Sequence, residues 1–498
     1  MAELAKRYHP RIAKSEYKSF VELKEGAGRP RIDYMLGFKQ VAEEYKPPIL
    51  YNVASVELGN TTTKCIITST DLKRGKTFLV TKIVKLTRKV RKPKIGEVVF
   101  GKTIWGVELT EQSVAEYVRD TVLEALKSAK MDIKSDLHFV VRSTGVTSAL
   151  ATPDEVDSMI KALAKGCLLA GVPPAKMVAS PTKNGLPREL REFSYLDKVP
   201  FVGAITGIIP PRSKGEVMAN EMEAELSTAG IKAAAKWVGV DYRHPLVSFD
   251  FGTTLKGRVV NDKLPYADTI GSITGLGGAI FDAMAKGIGF ESALELYEKK
   301  PPSYKHVDWH VVEKDAEEIL GLVKVVEVPE KVTHFGTIPV NPKAARDSGI
   351  TLVGVDVGEN GSDLPKLSEL GEEIYKEKGL DHFAAVMDCL IGRIVYAILK
   401  IFKEKGILNE KFSIGVTGRA GITGLKPYCV MRAVEQIGLI KGKLEERVVF
   451  VEDGLATGAA IMARCMHNLG TPQTPLGGNR GMPCILNLRI KYHEKKFS

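Results

Sequence analysis

Cysteine is scarce in this chain, with six in 498 residues, and the six (Cys65, Cys167, Cys389, Cys429, Cys465 and Cys484) never form a C-x-x-C pair. That spacing argues against zinc, iron–sulfur and disulfide frameworks, so reduced, mostly buried thiols are expected. Long hydrophobic runs are missing too. The longest apolar stretches, such as 201–210, fall well short of the roughly 18 apolar residues that a membrane-spanning helix needs. The first nine residues carry charge but no apolar run or small-residue cleavage site, so secretion is not signalled and a cytoplasmic protein is expected.

What is present suits a folded protein of more than one domain. Hydrophobic residues make up 44% and charged residues 26%, and 498 residues exceed what one core usually serves. The net charge of +11 would suit an acidic partner. Part of the excess crowds into 82–102, where Lys82, Lys85, Arg88, Lys89, Arg91, Lys92, Lys94 and Lys102 face only Glu97 within the segment. A hairpin edge protected by cations is the expectation there. No recognition motif or aromatic-interleaved basic run accompanies the charge, so nucleic acid is not an expected partner.

Strand and turn signals divide the chain. Residues 1–48 read as an extension ending in Lys46-Pro47-Pro48, and 49–240 as a first domain. A second domain covers 241–446, and 447–498 supply a helix and a tail that return to the first domain. In the first domain a strand at 49–58, a glycine turn and a β-branched strand at 61–70 form a hairpin, with a third strand near 77–86. Helices follow from Thr110, and from Pro153 with Thr152 as its cap. The hairpin pattern returns at 246–260. A charged, proline-bearing middle at 299–343 precedes a long helix at about 382–405, with strands at 412–417, 447–451 and 485–490.

Chemistry concentrates at three places. The first is Val56-Glu57-Leu58-Gly59-Asn60-Thr61-Thr62-Thr63-Lys64: an acid and a glycine at a strand end, then hydroxyls and a lysine. Such a turn can aim backbone N–H groups and hydroxyls at phosphate oxygens while the acid orients a hydrated Mg2+. Alone it could equally be an ordinary tight hairpin. The second, Asp250-Phe251-Gly252-Thr253-Thr254-Leu255-Lys256, repeats the pattern, which implies two equivalent halves facing one nucleotide. The third, Gly415-Val416-Thr417-Gly418-Arg419-Ala420-Gly421-Ile422-Thr423-Gly424, follows a buried strand and would let backbone approach a base and ribose. Its spacing is G-x-x-G-x-x-G, which disfavours a Rossmann site. A glycine-rich helix start, Gly275-Leu276-Gly277-Gly278, is a fourth candidate, for phosphate or ribose.

In this order the three sites resemble the first phosphate, second phosphate and adenosine motifs of the actin, heat-shock-cognate and sugar-kinase superfamily. That resemblance covers about 50–470 and implies an α/β fold of two RNase-H-like domains, mixed sheets flanked by helices, clasping ATP and Mg2+. It assigns phosphate and nucleoside contacts to Gly59, Asn60, Thr61, Thr62, Lys64, Gly252, Thr253, Thr254, Gly277, Gly278, Gly418, Arg419 and Gly421. Glu57 and Asp250 would hold the metal through water. Asp453-Gly454-Leu455-Ala456-Thr457-Gly458 resembles the superfamily's second connecting helix, whose small residues permit close packing.

The helix start at 275–285 is similar to that of activator and reactivase ATPases of radical and corrinoid enzymes, although no cysteine lies between Cys167 and Cys389 to hold a shared iron–sulfur cluster. The whole also resembles the methanogenesis marker protein 14 family. One departure stands out: the superfamily usually has Asp where Glu57 stands.

The resemblance therefore implies an ATPase that activates or reactivates a partner enzyme, one of methane metabolism. Glu216 and Glu221, with Glu223, are the candidates to orient the attacking water, or else form an exposed helix face. A small-molecule kinase and a non-hydrolysing nucleotide-binding scaffold are the alternatives.

Overall fold

The computed structural model describes residues 6–25, 48–144, 153–177, 221–262, 269–305, 307–347, 349–467 and 469. Strand β1 (Arg11–Ala13) and helix α1 (Phe20–Glu25) come first. Strands β2 (Leu50–Leu58), β3 (Thr62–Asp71) and β4 (Lys76–Leu86) then form an antiparallel meander. After a small hairpin, β5 (Val99–Lys102) with β6 (Glu108–Thr110), comes α2 (Glu111–Ala129). Thr110 and Ser113 cap α2 reciprocally, and its Val114, Val118, Val122 and Ala125 stripe is fully buried. Strand β7 (Phe139–Thr144) lies parallel to β2, giving the order β4-β3-β2-β7, with α3 (Pro153–Leu169) packed beside it.

Helix α4 (Glu221–Ala235) leads into the second half, where the meander recurs as β8 (Leu246–Phe251), β9 (Thr254–Val260) and β10 (Thr269–Leu276). Helices α5 (Gly278–Gly287), α6 (Ala293–Lys299) and α7 (Trp309–Leu320) follow. Next come β11 (Val323–Glu327), the hairpin β12 (His334–Phe335) with β13 (Ile338–Pro339), α8 (Pro342–Asp347), β14 (Thr351–Val357) and α9 (Leu364–Glu404). The half closes with β15 (Ser413–Thr417), α10 (Arg419–Ile422), α11 (Lys426–Ile437) and β16 (Val448–Val451), after which α12 (Gly454–Met466) buries Ala459, Ala460 and Met462 in the core of the first half.

Its sheet runs β1-β16-β15-β8-β9-β10-β14-β11. The run β10-β9-β8-β15 repeats β4-β3-β2-β7, down to the parallel strand beside the first strand of the meander. Each half is thus RNase-H-like, with its own buried core, one around Val53, Val118 and Phe139, the other around Phe249, Phe281, Phe383 and Phe450.

Helices α4 and α12 cross between the halves at backbone contact. A Cβ on Gly230 would overlap the Gly454 carbonyl, and one on Gly458 the Leu226 carbonyl. The small residues of α12 are there to permit that approach.

The structure adds to or corrects several expectations. The segment read as an extension contributes to both sheets. Strand β1 pairs with β16, Tyr17 bridges to Leu79 of β4, and Phe20 and Leu23 enter the first core. The long helix begins earlier, at Leu364, and is broken at Gly379, whose φ of 78° is left-handed. The charged middle, for which no element was expected, holds α7 and β11. Thr152 and the strand expected at 485–490 lie outside the described residues. Cys65, Cys167, Cys389 and Cys429 are buried free thiols, but Cys465 is disulfide-bonded, because distance along the chain does not set distance in space. Five of the eight cations in the basic segment are paired, with every carboxylate but Glu97 lying outside it: Lys82 with Asp453, Lys85 with Glu124, Arg88 with Glu291, Arg91 with Glu97 and Glu116, and Lys102 with Glu108.

Candidate nucleotide-binding cleft

The two meanders place the same chemistry at the same register. Glu57 at the end of β2 pairs across the hairpin with Lys64, and Asp250 at the end of β8 pairs with Lys256. The Lys64 ammonium lies 3.2 Å from the Glu57 carboxylate. The Lys256 ammonium forms an ion pair with Glu223 of α4, and all of it is buried. Both hairpins line one cleft of about 560 Å3, together with Gly418, Arg419 and the start of α12. Their tips touch: the Thr253 hydroxyl donates to the Thr61 hydroxyl at 2.8 Å.

Thr61 is the hub of that contact. Its oxygen also accepts from Trp105 Nε1 at 3.0 Å and donates to Asp282 of α5 at 3.2 Å. Among the described residues, the N–H groups of Gly252 and Thr253 donate to no backbone carbonyl, so the turn's donors are available to a ligand.

Three carboxylates, Glu57, Asp250 and Glu223, meet two ammonium groups, Lys64 and Lys256, in a water-poor space. Burial pushes Asp250 up to about 7, with Lys256 opposing and Glu223 and Glu57 reinforcing the shift. Burial also raises Glu223. Burial alone would lower Lys64, but Glu57 and Asp250 outweigh it and hold its proton. Asp250 is 6% exposed and its carboxylate accepts no hydrogen bond among the described residues. When ionised, an acceptor-only carboxylate in that position suits a hydrated cation. No group of three His, Cys, Asp or Glu that could hold a metal ion lies among the described residues.

Of the residues singled out in the sequence, Glu57, Gly59, Asn60, Thr61, Thr62, Lys64, Asp250, Gly252, Thr253, Thr254, Gly278, Gly418 and Arg419 all line the cleft. Several do something other than expected. The Asn60 side-chain oxygen accepts the Ile104 N–H at 2.8 Å and so pins the β5–β6 hairpin. The Gly277 and Gly278 N–H groups donate to the Thr253 and Gly252 carbonyls at 3.1 and 2.6 Å, so the start of α5 clamps the second phosphate-type turn instead of offering those donors to an anion. Gly421 packs under the loop, where a Cβ would press on Val416 and Phe251. Glu216 lies outside the described residues, and Glu221 is the first residue of α4. Glu223, two residues on, is fully buried rather than part of an exposed face, and its Oε1 has no hydrogen-bond partner among the described residues.

Sequence reasoning did not mark Lys256, Asp282 or Lys426 as site residues. Lys256 was findable, since it sits across from Asp250 as Lys64 does from Glu57. Asp282, raised to about 6 by burial, holds Thr61 and the Ala293 N–H. Lys426 is 1% exposed, pairs with Asp388 at 2.7 Å and lies 4.2 Å from the Tyr297 ring centroid, forming the wall beside Arg419.

Two RNase-H-like halves, joined by crossing helices and closing on one cleft with a hairpin from each, define a protein of the actin-like ATPase fold. The chain belongs to the family described as "Uncharacterized protein conserved in archaea (DUF2114)", which matches residues 50–493. An uncharacterized protein of Methanocaldococcus jannaschii is 50% identical over 473 residues, 94% of this chain and 96% of that one. Another, of Methanothermobacter thermautotrophicus, is 49% identical over 457 residues, 91% and 84% of the two chains. Similar solved structures include the ethanolamine utilization protein EutJ from Carboxydothermus hydrogenoformans, at 10% identity, 84% and 90% coverage and a TM-score of 0.34. A ROK family glucokinase from Streptomyces griseus in complex with glucose and AMPPNP shows 12% identity, 84% and 99% coverage and a TM-score of 0.32. These superpositions are loose, and the fold assignment rests on the duplicated strand order.

Proposed function

We propose that the chain binds ATP in this cleft and uses its turnover to activate or reactivate a partner enzyme. The observation that carries the reading is the pairing of two equivalent hairpins, each with an acid, a lysine and a threonine turn, in contact through Thr61 and Thr253. Glu57 and Asp250 would hold Mg2+ through water, and the ion would neutralise phosphate charge. Thr61, Thr62, Thr253 and Thr254 with the turn N–H groups would seat the phosphates. Lys64 keeps its proton beside Glu57 and would face phosphate oxygens. Gly418 and Arg419 would border the nucleoside. Glu223, raised by burial and with one oxygen unpartnered among the described residues, is the group suited to orient water.

Methane metabolism as the setting is supported by relatives in Methanocaldococcus and Methanothermobacter and by the likeness to the methanogenesis marker protein 14 family. A second reading, a small-molecule kinase, has one observation in its favour: the cleft runs on past Glu57 along the sheet to Ser55, Ile66 and Lys82, room for an acceptor. Phosphate release from ATP alone, slow and raised by a partner enzyme, supports the first reading. ADP formation that requires a sugar or carboxylate acceptor supports the second, and binding without turnover leaves a scaffold.

A further inference from the structure

The basic segment holds a feature that the cleft does not use. Lys94 accepts the Glu97 N–H at 3.0 Å and Gly96 has φ of 86°, making a tight turn with Ile95 at its corner. Ile95 is fully exposed at 107% of its reference area, with Val98 at 80% and Val99 at 38%. The loop beneath is clamped. Arg91 spans Glu97 at 2.6 and 2.8 Å and Glu116 of α2 at 2.6 Å, and Glu97 also accepts the Lys94 N–H and the Thr110 hydroxyl. Lys89, Lys92 and Lys94 stand exposed around the tip; among the described residues none of them forms an ion pair, although Lys94 is near enough to Glu116 to help lower it.

A rigid turn that displays branched aliphatic side chains inside a ring of exposed cations has the make-up of an interaction knob: apolar centre, charged rim, little ordering on binding. A second copy of this chain is a poor occupant, because a net charge of +11 sets like charge against the rim. We infer that the 92–98 tip docks the acidic surface of a partner protein, Ile95 and Val98 entering an apolar pocket and Lys89, Lys92 and Lys94 facing carboxylates around it. The inference rests on the proposal that the chain acts on a partner, and it names the surface that finds that partner.

The test places a photo-crosslinking amino acid at position 95 of the full-length chain in cells and purifies the protein it captures. The inference expects one captured protein with the crosslink amid acidic residues. Its affinity for the purified chain should fall at least 10-fold with Ile95→Asp, fall similarly with Lys92→Glu/Lys94→Glu, and weaken with salt, while melting temperature and nucleotide binding stay unchanged. Capture of no protein, capture of the same chain alone, binding only to phosphatidylglycerol vesicles, or equal affinity for Ile95→Asp would overturn it. If Ile95→Asp breaks the complex while nucleotide neither binds nor alters it, the knob stands and the ATPase reading falls. The reverse pattern removes the knob alone.

Discussion

The hydroxyls of Thr61 and Thr253, 192 positions apart in the chain, meet at 2.8 Å and join the two halves at the tips of equivalent turns. If that contact latches the closed cleft, the two residues are energetically coupled. Thr61→Val keeps shape but leaves Trp105 Nε1 without its acceptor, and should cost about 1–3 kcal/mol. Thr253→Val should cost less. A double-mutant cycle by urea unfolding should show coupling above about 0.5 kcal/mol, whereas simple additivity would mean that the hydroxyls do not hold the halves together.

Asp250 should give the protein a recognisable pH dependence. Its folded pKa of about 7 lies above the ordinary 3.8, so the folded state binds the proton more tightly. That contribution to stability is complete below about pH 4 and is lost as pH rises through 7, a change on the order of 4 kcal/mol. Subtracting the stability of Asp250→Asn from that of wild type should isolate it: the difference should fall between pH 4 and 7 and flatten above. A flat difference throughout would place Asp250 at an ordinary pKa. Far-UV circular dichroism should be unchanged by the substitution, and Mg2+-dependent turnover should drop.

The buried pair of Lys256 and Glu223 should be asymmetric in its response. Lys256→Met leaves a buried carboxylate without its cation and should destabilise by about 3–5 kcal/mol. Adding Glu223→Gln should restore much of that loss. Equal stability of the single and double variants would show that the two groups do not depend on each other.

At the helix crossing, Gly458→Ala drives a methyl group into the Leu226 carbonyl, and backbone cannot yield as a side chain does. A loss of about 1–3 kcal/mol is expected, with weaker nucleotide binding because α4 and α12 carry both halves. Calorimetric melting checks the first and titration the second. A neutral substitution would mean the helices sit further apart than described.

What the sequence revealed was local chemistry. An acid, a glycine and threonines at a strand end spell the same turn twice, and so Glu57, Thr61, Asp250 and Thr253 were legible. The role of Glu223 was not, because the lysine that explains its burial lies on β9, 33 positions away. Gly277 and Gly278 mark a helix start in either case. Whether its N–H groups meet a phosphate or the Gly252 and Thr253 carbonyls depends on a strand pairing that glycine spacing does not encode. The three-residue β1 is too short to show a period, and it owes its pairing to the open edge of β16. Tyr297 and Asp388 come to Lys426 from α6 and α9, which no short motif could have joined.

The central claim is that ATP binds between the halves at the paired hairpins, and isothermal titration of Mg-ATP with matched thermal melts tests it most directly. At about 100 times the dissociation constant, bound ligand should stabilise wild type by roughly 2.7 kcal/mol, and Asp250→Asn should lose the Mg2+-dependent part of that gain. No heat of binding and an unmoved melting curve at millimolar Mg-ATP, or a gain undiminished in Asp250→Asn, would contradict the account.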